Sequence, residues 1–285
     1  MTDALVPGQT IGILGGGQLG RMLAMAAARL GFNTVVYEPG AAPAGQTAGG
    51  LITAPYEDTA ALIAFAESVD VVTYEFENVP AQALDLIEAR VPIRPNRQAL
   101  SVSQDRLTEK TFLTEIGLSV APFAPVSDDA TLAQAIATVG LPAILKTRRL
   151  GYDGKGQARL KDRHDAASAL QAMHGAVAIR EGFVRFEREI SVIAARGLDT
   201  RIACFEPGEN VHTDGILDTT RVPAAIDAPT RERAFGIAGT ILAALDYVGV
   251  IGVELFVSSD GLIVNEIAPR VHNSGHWTEA GAVID

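Results

Sequence analysis

Two glutamates sit in apolar, strand-like runs, Val253-Glu254-Leu255 and Val264-Asn265-Glu266-Ile267, joined by the turn Ser258-Ser-Asp-Gly261. A carboxylate among Val, Ile and Leu is costly to bury unless a cation neutralises it. Read as a hairpin, their separation of twelve residues places Glu254 and Glu266 on one face. Such hard oxygen donors beside phosphates suit Mg2+. The plainer alternative is two solvated acids on an exposed sheet face. A place for phosphates lies upstream: the apolar run Ala143-Ile-Leu delivers Lys146, and five residues later begins the loop Gly151-Tyr152-Asp153-Gly154-Lys155-Gly156. A lysine fixed on a strand reaches phosphate oxygens as a point charge, and glycines let backbone N–H groups close over them. No GK[ST] occurs, so this is not a Walker loop, and a solvated, charged hairpin tip would read the same way.

Two further segments gain meaning from that context. Ala178-Ile-Arg-Glu181-Gly182-Phe183-Val184, followed by Glu189, has the form of a nucleotide hinge, with backbone groups for adenine and a later acid for the ribose hydroxyls. Alone it is no more than a strand exit. Directly after the second glutamate, Pro269-Arg270-Val-His272-Asn273-Ser274-Gly-His276-Trp277 crowds donors together. Arg270 is placed there to stabilise charge developing on a transferred phosphoryl group, unless this is only a turn-rich surface loop. Near the N-terminus, Gly15, Gly17 and Gly20 follow the apolar run 11–14 at G-x-G-x-x-G spacing, and Glu38 ends the next strand-like run. That pattern opens an alternative, a nicotinamide-dependent dehydrogenase, although the glycines alone say only that an anion is accepted at a helix N-terminus.

The elements that must position these residues alternate in the first hundred residues as in a parallel α/β sheet. Strands are expected over 10–14, 34–37 and 69–74 and helices over 18–30, 59–68 and 81–89, with a loop over 39–50 at the sheet's carboxyl edge. Pro92 and Pro95 close this unit. A charged helix over 104–116 and a Pro-rich connector over 121–125 follow, then a small α+β unit to about residue 180. Further strands are expected over 189–196, 201–206, 249–256 and 262–267, and a helix over 231–245.

At 285 residues the chain suggests about two or three domains. Its net charge of −11 argues against a nucleic-acid groove or an anionic membrane surface, both of which want a basic excess. The longest apolar tract, 236–257, is broken by Asp246 and Glu254, too polar for a membrane span. Residues 1–10 have neither the charged nor the apolar region of an ordinary secretory signal. The single cysteine, Cys204 in an apolar run, excludes an internal disulfide or Cys-rich metal site and fits a reducing compartment.

Together these residues resemble the ATP-grasp superfamily. Within it, Gly15-Gly-Gly-Gln18-Leu19-Gly20-Arg-Met-Leu, Gln104-Asp-Arg106, Gly151-Tyr-Asp-Gly-Lys-Gly156, Glu181-Gly-Phe-Val184, Asp214-Gly-Ile-Leu and Asn265-Glu-Ile-Ala-Pro-Arg270-Val-His-Asn-Ser-Gly-His276 are similar to the N5-carboxyaminoimidazole ribonucleotide synthetase family. The resemblance implies an α/β chain. A Rossmann-like domain over 1–103 precedes a two-part ATP-grasp fold of α+β character, with a lid over 104–180 and a C-terminal subdomain over 181–285. It implies ATP on Arg106, Lys146, the lid loop 151–156, the hinge 181–184, Glu189, His212, Asn265 and Glu266, with Mg2+ on Glu254 and Glu266. Gln18, Leu19, Glu75, Arg270, His272, Asn273 and Ser274 would line the ribonucleotide and bicarbonate side. Asp153 joins them as a candidate general base together with His272.

The implied reaction is carboxylation of 5-aminoimidazole ribonucleotide through carboxyphosphate, releasing ADP and phosphate, in the cytoplasm; no nucleic acid or membrane partner is implied, and a homodimer is allowed. Three alternatives stay open beside it: another ATP-grasp ligase of the glycinamide ribonucleotide transformylase or biotin carboxylase kind, the dehydrogenase, and a non-catalytic ATP-binding module. Leu150 stands where the family often has glycine. The family usually continues for several tens of residues past the last motif, so a fragment lacking the end of the third domain is expected.

Overall fold

The computed structural model describes residues 4–151, 156–213 and 215–283. Tyr152, Asp153, Gly154 and Lys155 of the expected lid loop, and Asp214, lie outside the described residues. The first domain runs β1 (Thr10–Leu14), α1 (Gln18–Arg29), β2 (Asn33–Tyr37), β3 (Gly50–Ile52), α2 (Thr59–Glu67), β4 (Val71–Tyr74) and α3 (Ala81–Glu88). Its four strands are ordered β3-β2-β1-β4 and all pair in parallel. Leu14, Tyr37, Phe65 and Tyr74 are buried in its core. The expected loop over 39–50 contains a short 3-10 turn, Pro43–Gln46, and ends where β3 begins.

Two capped helices link this domain to the rest. α4 (Arg97–Ser103) starts at Asn96, whose side chain accepts from Ala99 N at 3.0 Å. α5 (Arg106–Glu115) starts at Asp105. The single helix expected over 104–116 thus begins two residues later, because Asp105 takes the extended conformation of an N-cap.

The lid subdomain runs β5 (Phe123–Val126), α6 (Asp129–Val139), β6 (Ala143–Thr147), β7 (Gln157–Leu160), α7 (Ala166–Gln171) and β8 (Ala178–Gly182), with antiparallel strand order β5-β8-β6-β7. The expected connector over 121–125 is in large part β5. Pro125 is tolerated there because β5 is an edge strand. β8 carries residues on both sides of the division expected at 180.

The last part runs β9 (Arg188–Arg196), β10 (Ile202–Cys204), β11 (Gly208–Thr213), β12 (Ile216–Arg221), α8 (Ala228–Ala244), β13 (Gly249–Ser258), β14 (Gly261–Ala268) and α9 (Thr278–Gly281). The sheet order is β12-β11-β9-β13-β14, with β10 paired to β9. Leu113 of α5 and Ala234, Ala238 and Ile241 of α8 pack on Ile190, Val192, Val253 and Leu255 in its core.

Candidate active site

Leu14 pairs with Tyr74, so the carboxyl ends of β1 and β4 lie side by side and Glu75 emerges against the glycine turn. Its carboxylate accepts from Gly17 N and, at 2.7 Å, from Gly20 N. Glu38 Oε2 accepts from Gly16 N at 2.9 Å, and Glu38 Oε1 from Gly40 N at 2.8 Å. A Cβ on Gly17 would stand 2.6 Å from Glu75 Oε1. At Gly15, where φ is +101°, a Cβ would stand 2.4 Å from Glu75 Cγ. The glycines therefore hold the protein's own carboxylates at the α1 N-terminus, where a dinucleotide pyrophosphate would have to sit. Both supports of the dehydrogenase alternative, the turn and Glu38, are engaged elsewhere.

A cleft of about 1260 Å³ opens beside this turn. Gln18, Leu19 and Glu75 reach it from the first domain, and Arg106, Lys146, Gly151 and Phe183 from α5 and the lid. Glu189, His212, Glu254, Asn265 and Glu266 come from the last sheet, and Arg270, His272 and Asn273 from the segment after β14. Gly156, Glu181, Gly182, Val184 and Ser274 stand outside its wall. A pocket of this size exceeds that of a typical single small-molecule site.

Ile144 faces Glu181 across β6 and β8, so Lys146, two residues on, shares a face with Glu181. Lys146 Nζ donates to Glu181 Oε2 at 2.9 Å, and Lys110 Nζ lies 3.9 Å from the same oxygen. Burial opposes the Glu181 charge, but Lys110 and Lys146 outweigh it and hold the carboxyl below the usual range. Gly182 N and Phe183 N already bond the Pro122 and Pro142 carbonyls at 2.7 and 3.1 Å, so N–H donors for a base must come from Val184 onward. Arg106 Nη1 donates to Glu266 Oε2 at 3.1 Å and Nη2 to Gly151 O at 3.0 Å. Next to it, Asp105 caps α5 through Leu107 N at 2.9 Å and takes Arg148 in a two-point ion pair, 3.0 Å from Nε and 2.7 Å from Nη2. Gln104 Oε1 accepts from Arg149 Nη2 at 2.9 Å. The Gln104-Asp105-Arg106 run thus grips the start of the lid loop.

Glu254 and Glu266 stand opposite each other on β13 and β14. A regular hairpin closed by Ser258 and Gly261 would pair Glu254 with Asn265 and turn Glu266 to the other face. The register shifts there, with Leu255 on Val264 and Glu254 on Glu266. The single face expected from the sequence is therefore real, but a β-bulge at Asn265 creates it, not the spacing. With His272, the two carboxylates bring ligating atoms within 4.8 Å of one another. Burial, then the neighbouring Glu266 charge, pushes Glu254 up to about 8. For Glu266 burial also opposes the charge, yet Arg106, Lys146 and His272 hold it down to about 2. Burial and mutual repulsion thus disfavour a second negative charge on the pair, and a divalent cation bound to its hard oxygens would relieve both.

His272 Nδ1 meets Ser274 Oγ at 2.9 Å, and its Nε2 lies 3.8 Å from Glu254 Oε1. Burial and Arg270 push the imidazole down to about 4, so it is neutral at pH 7. Arg270 Nε lies 2.7 Å from Glu77 Oε1, a first-domain residue. His212 Nδ1 contacts Glu189 Oε2, and that hydrogen bond raises the His212 pKa.

Sequence reasoning missed Glu77, Glu109 and Lys110. For the last two a signal existed: Arg106, Glu109, Lys110 and Leu113 follow i, i+3, i+4, i+7 spacing, the stripe by which a helix faces the interior. Glu109 and Lys110 are indeed buried, at 4% and 2% exposure.

Comparison with known proteins gives matches along nearly the whole chain. The ribonucleotide synthetase preATP-grasp domain family matches residues 8–104, and the ATP-grasp domain family residues 111–285. An N5-carboxyaminoimidazole ribonucleotide synthase of Brucella melitensis is 56% identical over 285 residues, covering 99% of this chain and 79% of its own. A crystal structure of the ADP complex of an N5-carboxyaminoimidazole ribonucleotide synthetase superposes with a TM-score of 0.94 at 41% identity, over 98% of this chain and 75% of that one. The Aspergillus clavatus synthase in complex with ADP and 5-aminoimidazole ribonucleotide is similar at a TM-score of 0.87 and 31% identity, over 95% of this chain and 72% of its own.

Proposed function

The chain belongs to the N5-carboxyaminoimidazole ribonucleotide synthase family of ATP-grasp ligases, and from that membership we propose how its cleft performs the family's reaction. The enzyme uses ATP and bicarbonate to carboxylate the 5-amino group of 5-aminoimidazole ribonucleotide, a step of purine biosynthesis. A bicarbonate oxygen attacks the γ-phosphorus, the bond to the bridging oxygen breaks, and ADP and carboxyphosphate form. The ribonucleotide's amine nitrogen then bonds the carboxyl carbon, phosphate leaves, and the nitrogen gives up a proton.

In this chain Arg106 and Lys146 would meet the phosphates, and residues from Val184 onward the adenine, with Glu189 and its partner His212 on the ribose. The donor set of Glu254 and Glu266 fits Mg2+, which when bound would neutralise phosphate charge. Because phosphoryl transfer asks little covalent work of a protein, positioning and charge neutralisation carry the catalysis. Arg270 would stabilise the charge on the transferring group. His272, with a pKa of about 4, is a weak base and is better suited to holding bicarbonate by a hydrogen bond; Ser274, buried beneath it, would orient the ring. Gln18, Leu19 and Glu75 would face the ribonucleotide, with Asn273 beside them.

One observation carries this reading: Glu75 and Gln18 of the first domain open onto the same cleft as Arg106, Lys146 and Glu266. ADP release, measured with and without the ribonucleotide at fixed bicarbonate and Mg2+, tests it. The ribonucleotide should stimulate release, and Glu266→Gln should abolish it while the far-UV spectrum stays unchanged. Normal rates in that variant would remove the metal assignment. No helix among the described residues is long and apolar enough to cross a membrane. We place the enzyme in the cytoplasm, where ATP and bicarbonate are supplied.

A further inference from the structure

Glu109 and Lys110 are buried polar side chains to which the proposed reaction assigns no role, and both are turned on β14. The bulge at Asn265 takes backbone groups out of the ladder with β13, and buried backbone groups need partners. Lys110 Nζ donates to Asn265 O at 2.6 Å and to Val264 O at 3.3 Å. Glu109 Oε1 accepts from Ile267 N at 2.9 Å. Adjacent residues of one helix therefore bracket Glu266, two carbonyls before it and one N–H after it. Without that bracket nothing in the hairpin turn prevents a slip to regular pairing, and a one-residue slip moves Glu266 to the opposite face.

We propose that Glu109 and Lys110 are positioning residues that hold the β14 bulge and thereby aim Asn265 and Glu266 into the nucleotide and metal site. The inference rests on the reading of Glu254 and Glu266 as metal ligands. It makes α5 part of the site twice over: Arg106 faces the ligand, while the next turn of the same helix sets the strand that holds the ion. Lys110 also lies 3.9 Å from Glu181, so one ammonium ties the strand of the hinge to the strand of the metal acids.

The test compares Lys110→Met, Glu109→Leu and Glu109→Gln in the intact enzyme. Mn2+ binding in the presence of a non-hydrolysable ATP analogue is read by electron paramagnetic resonance, and backbone hydrogen exchange over residues 264–268 by mass spectrometry. Lys110→Met and Glu109→Leu should weaken Mn2+ binding about 10- to 100-fold, the usual cost of losing a group that orients a ligand. Both should speed exchange in that segment, while KM for the ribonucleotide stays within about twofold because its pocket is formed elsewhere. Glu109→Gln keeps an oxygen for Ile267 N–H and should behave as wild type.

Folded Lys110→Met and Glu109→Leu proteins with unchanged Mn2+ affinity and exchange would overturn the proposal. So would a Glu109→Gln protein as impaired as Glu109→Leu. If Lys110→Met does not fold, the two Glu109 variants decide, and failure of all three to fold assigns the pair to stability alone. Glu266→Gln is the control for the underlying reading: if it binds Mn2+ like wild type, the metal assignment fails, while the exchange data still report on the bulge.

Discussion

At Gly17 the missing side chain is what lets Glu75 close on the N–H groups that open α1. A methyl group there would lie 2.6 Å from a carboxylate oxygen, so Gly17→Ala must displace Glu75 or the turn. The expected result is a loss of about 1–3 kcal/mol, the usual cost of overpacking, read from the thermal midpoint. KM for the ribonucleotide should rise, because Glu75 lines the first-domain end of the cleft, while KM for ATP stays put. Equal increases in both would place Glu75 outside the ribonucleotide pocket. Leu150 makes the complementary point, since its φ of 60° is a left-handed backbone conformation that glycine adopts more readily than leucine.

Helix α5 shows at the level of elements how one short run serves fold and site together. Asp105 caps it and pairs with Arg148 at the root of the lid loop. Burial opposes the Asp105 charge, but the bond to Arg148 and the capped N–H groups hold the carboxyl below its ordinary 3.8. A carboxyl held low in the folded state stabilises the fold above its unfolded value, and that stabilisation fades as pH falls through the folded one. Asp105→Asn keeps a capping oxygen but loses the charge pair, so its unfolding free energy should lie below wild type at pH 7 by about 1.5 kcal/mol, the worth of a bond to a charged group. The gap should shrink once pH falls below 3.8; a gap that persists in acid would mean that the ion pair contributes nothing.

The elements also show where the sequence was legible. The glycine spacing and the alternation of strands and helices revealed β1, β2 and β4 because each carries buried apolar residues, whereas the three-residue, half-exposed β3 left no such signal. α5 was visible as a charged helix, but its inward stripe went unread, since burial of Glu109 and Lys110 depends on a strand distant in sequence, β14. β11 and β12 went largely unread because their side chains are mostly exposed and polar, leaving no alternation to see. The facing acids were expected correctly for a reason that fails, since the parity of the hairpin needed a bulge that no spacing announces.

Over the whole molecule, the two substrates would meet where the first domain touches the rest, and among the described residues a few polar side chains cross that seam. Asn96 Nδ2 reaches Leu245 O at 2.7 Å, and Gln104 Nε2 reaches Glu77 O at 2.6 Å and Val79 O at 2.9 Å. Among the described residues Glu77 adds a charged contact, with Arg270. Both side chains are mostly shielded, at 22% and 18% exposure, so the pair is held more firmly than a surface bridge. If Arg270 steadies the transferring phosphoryl group, Glu77 links occupancy of the first domain to the geometry of phosphoryl transfer. Glu77→Gln, similar in size but neutral, should lower kcat about tenfold or more, as misplacement of a charge-stabilising group does, with a far smaller change in KM for ATP. Coupling should suffer as well: carboxyphosphate formed beside a loosened Arg270 is exposed to water, so the yield of carboxylated ribonucleotide per ADP released should fall below that of wild type. Measuring both products in one reaction separates the outcomes, because a simple loss of stability would lower them together and leave their ratio unchanged.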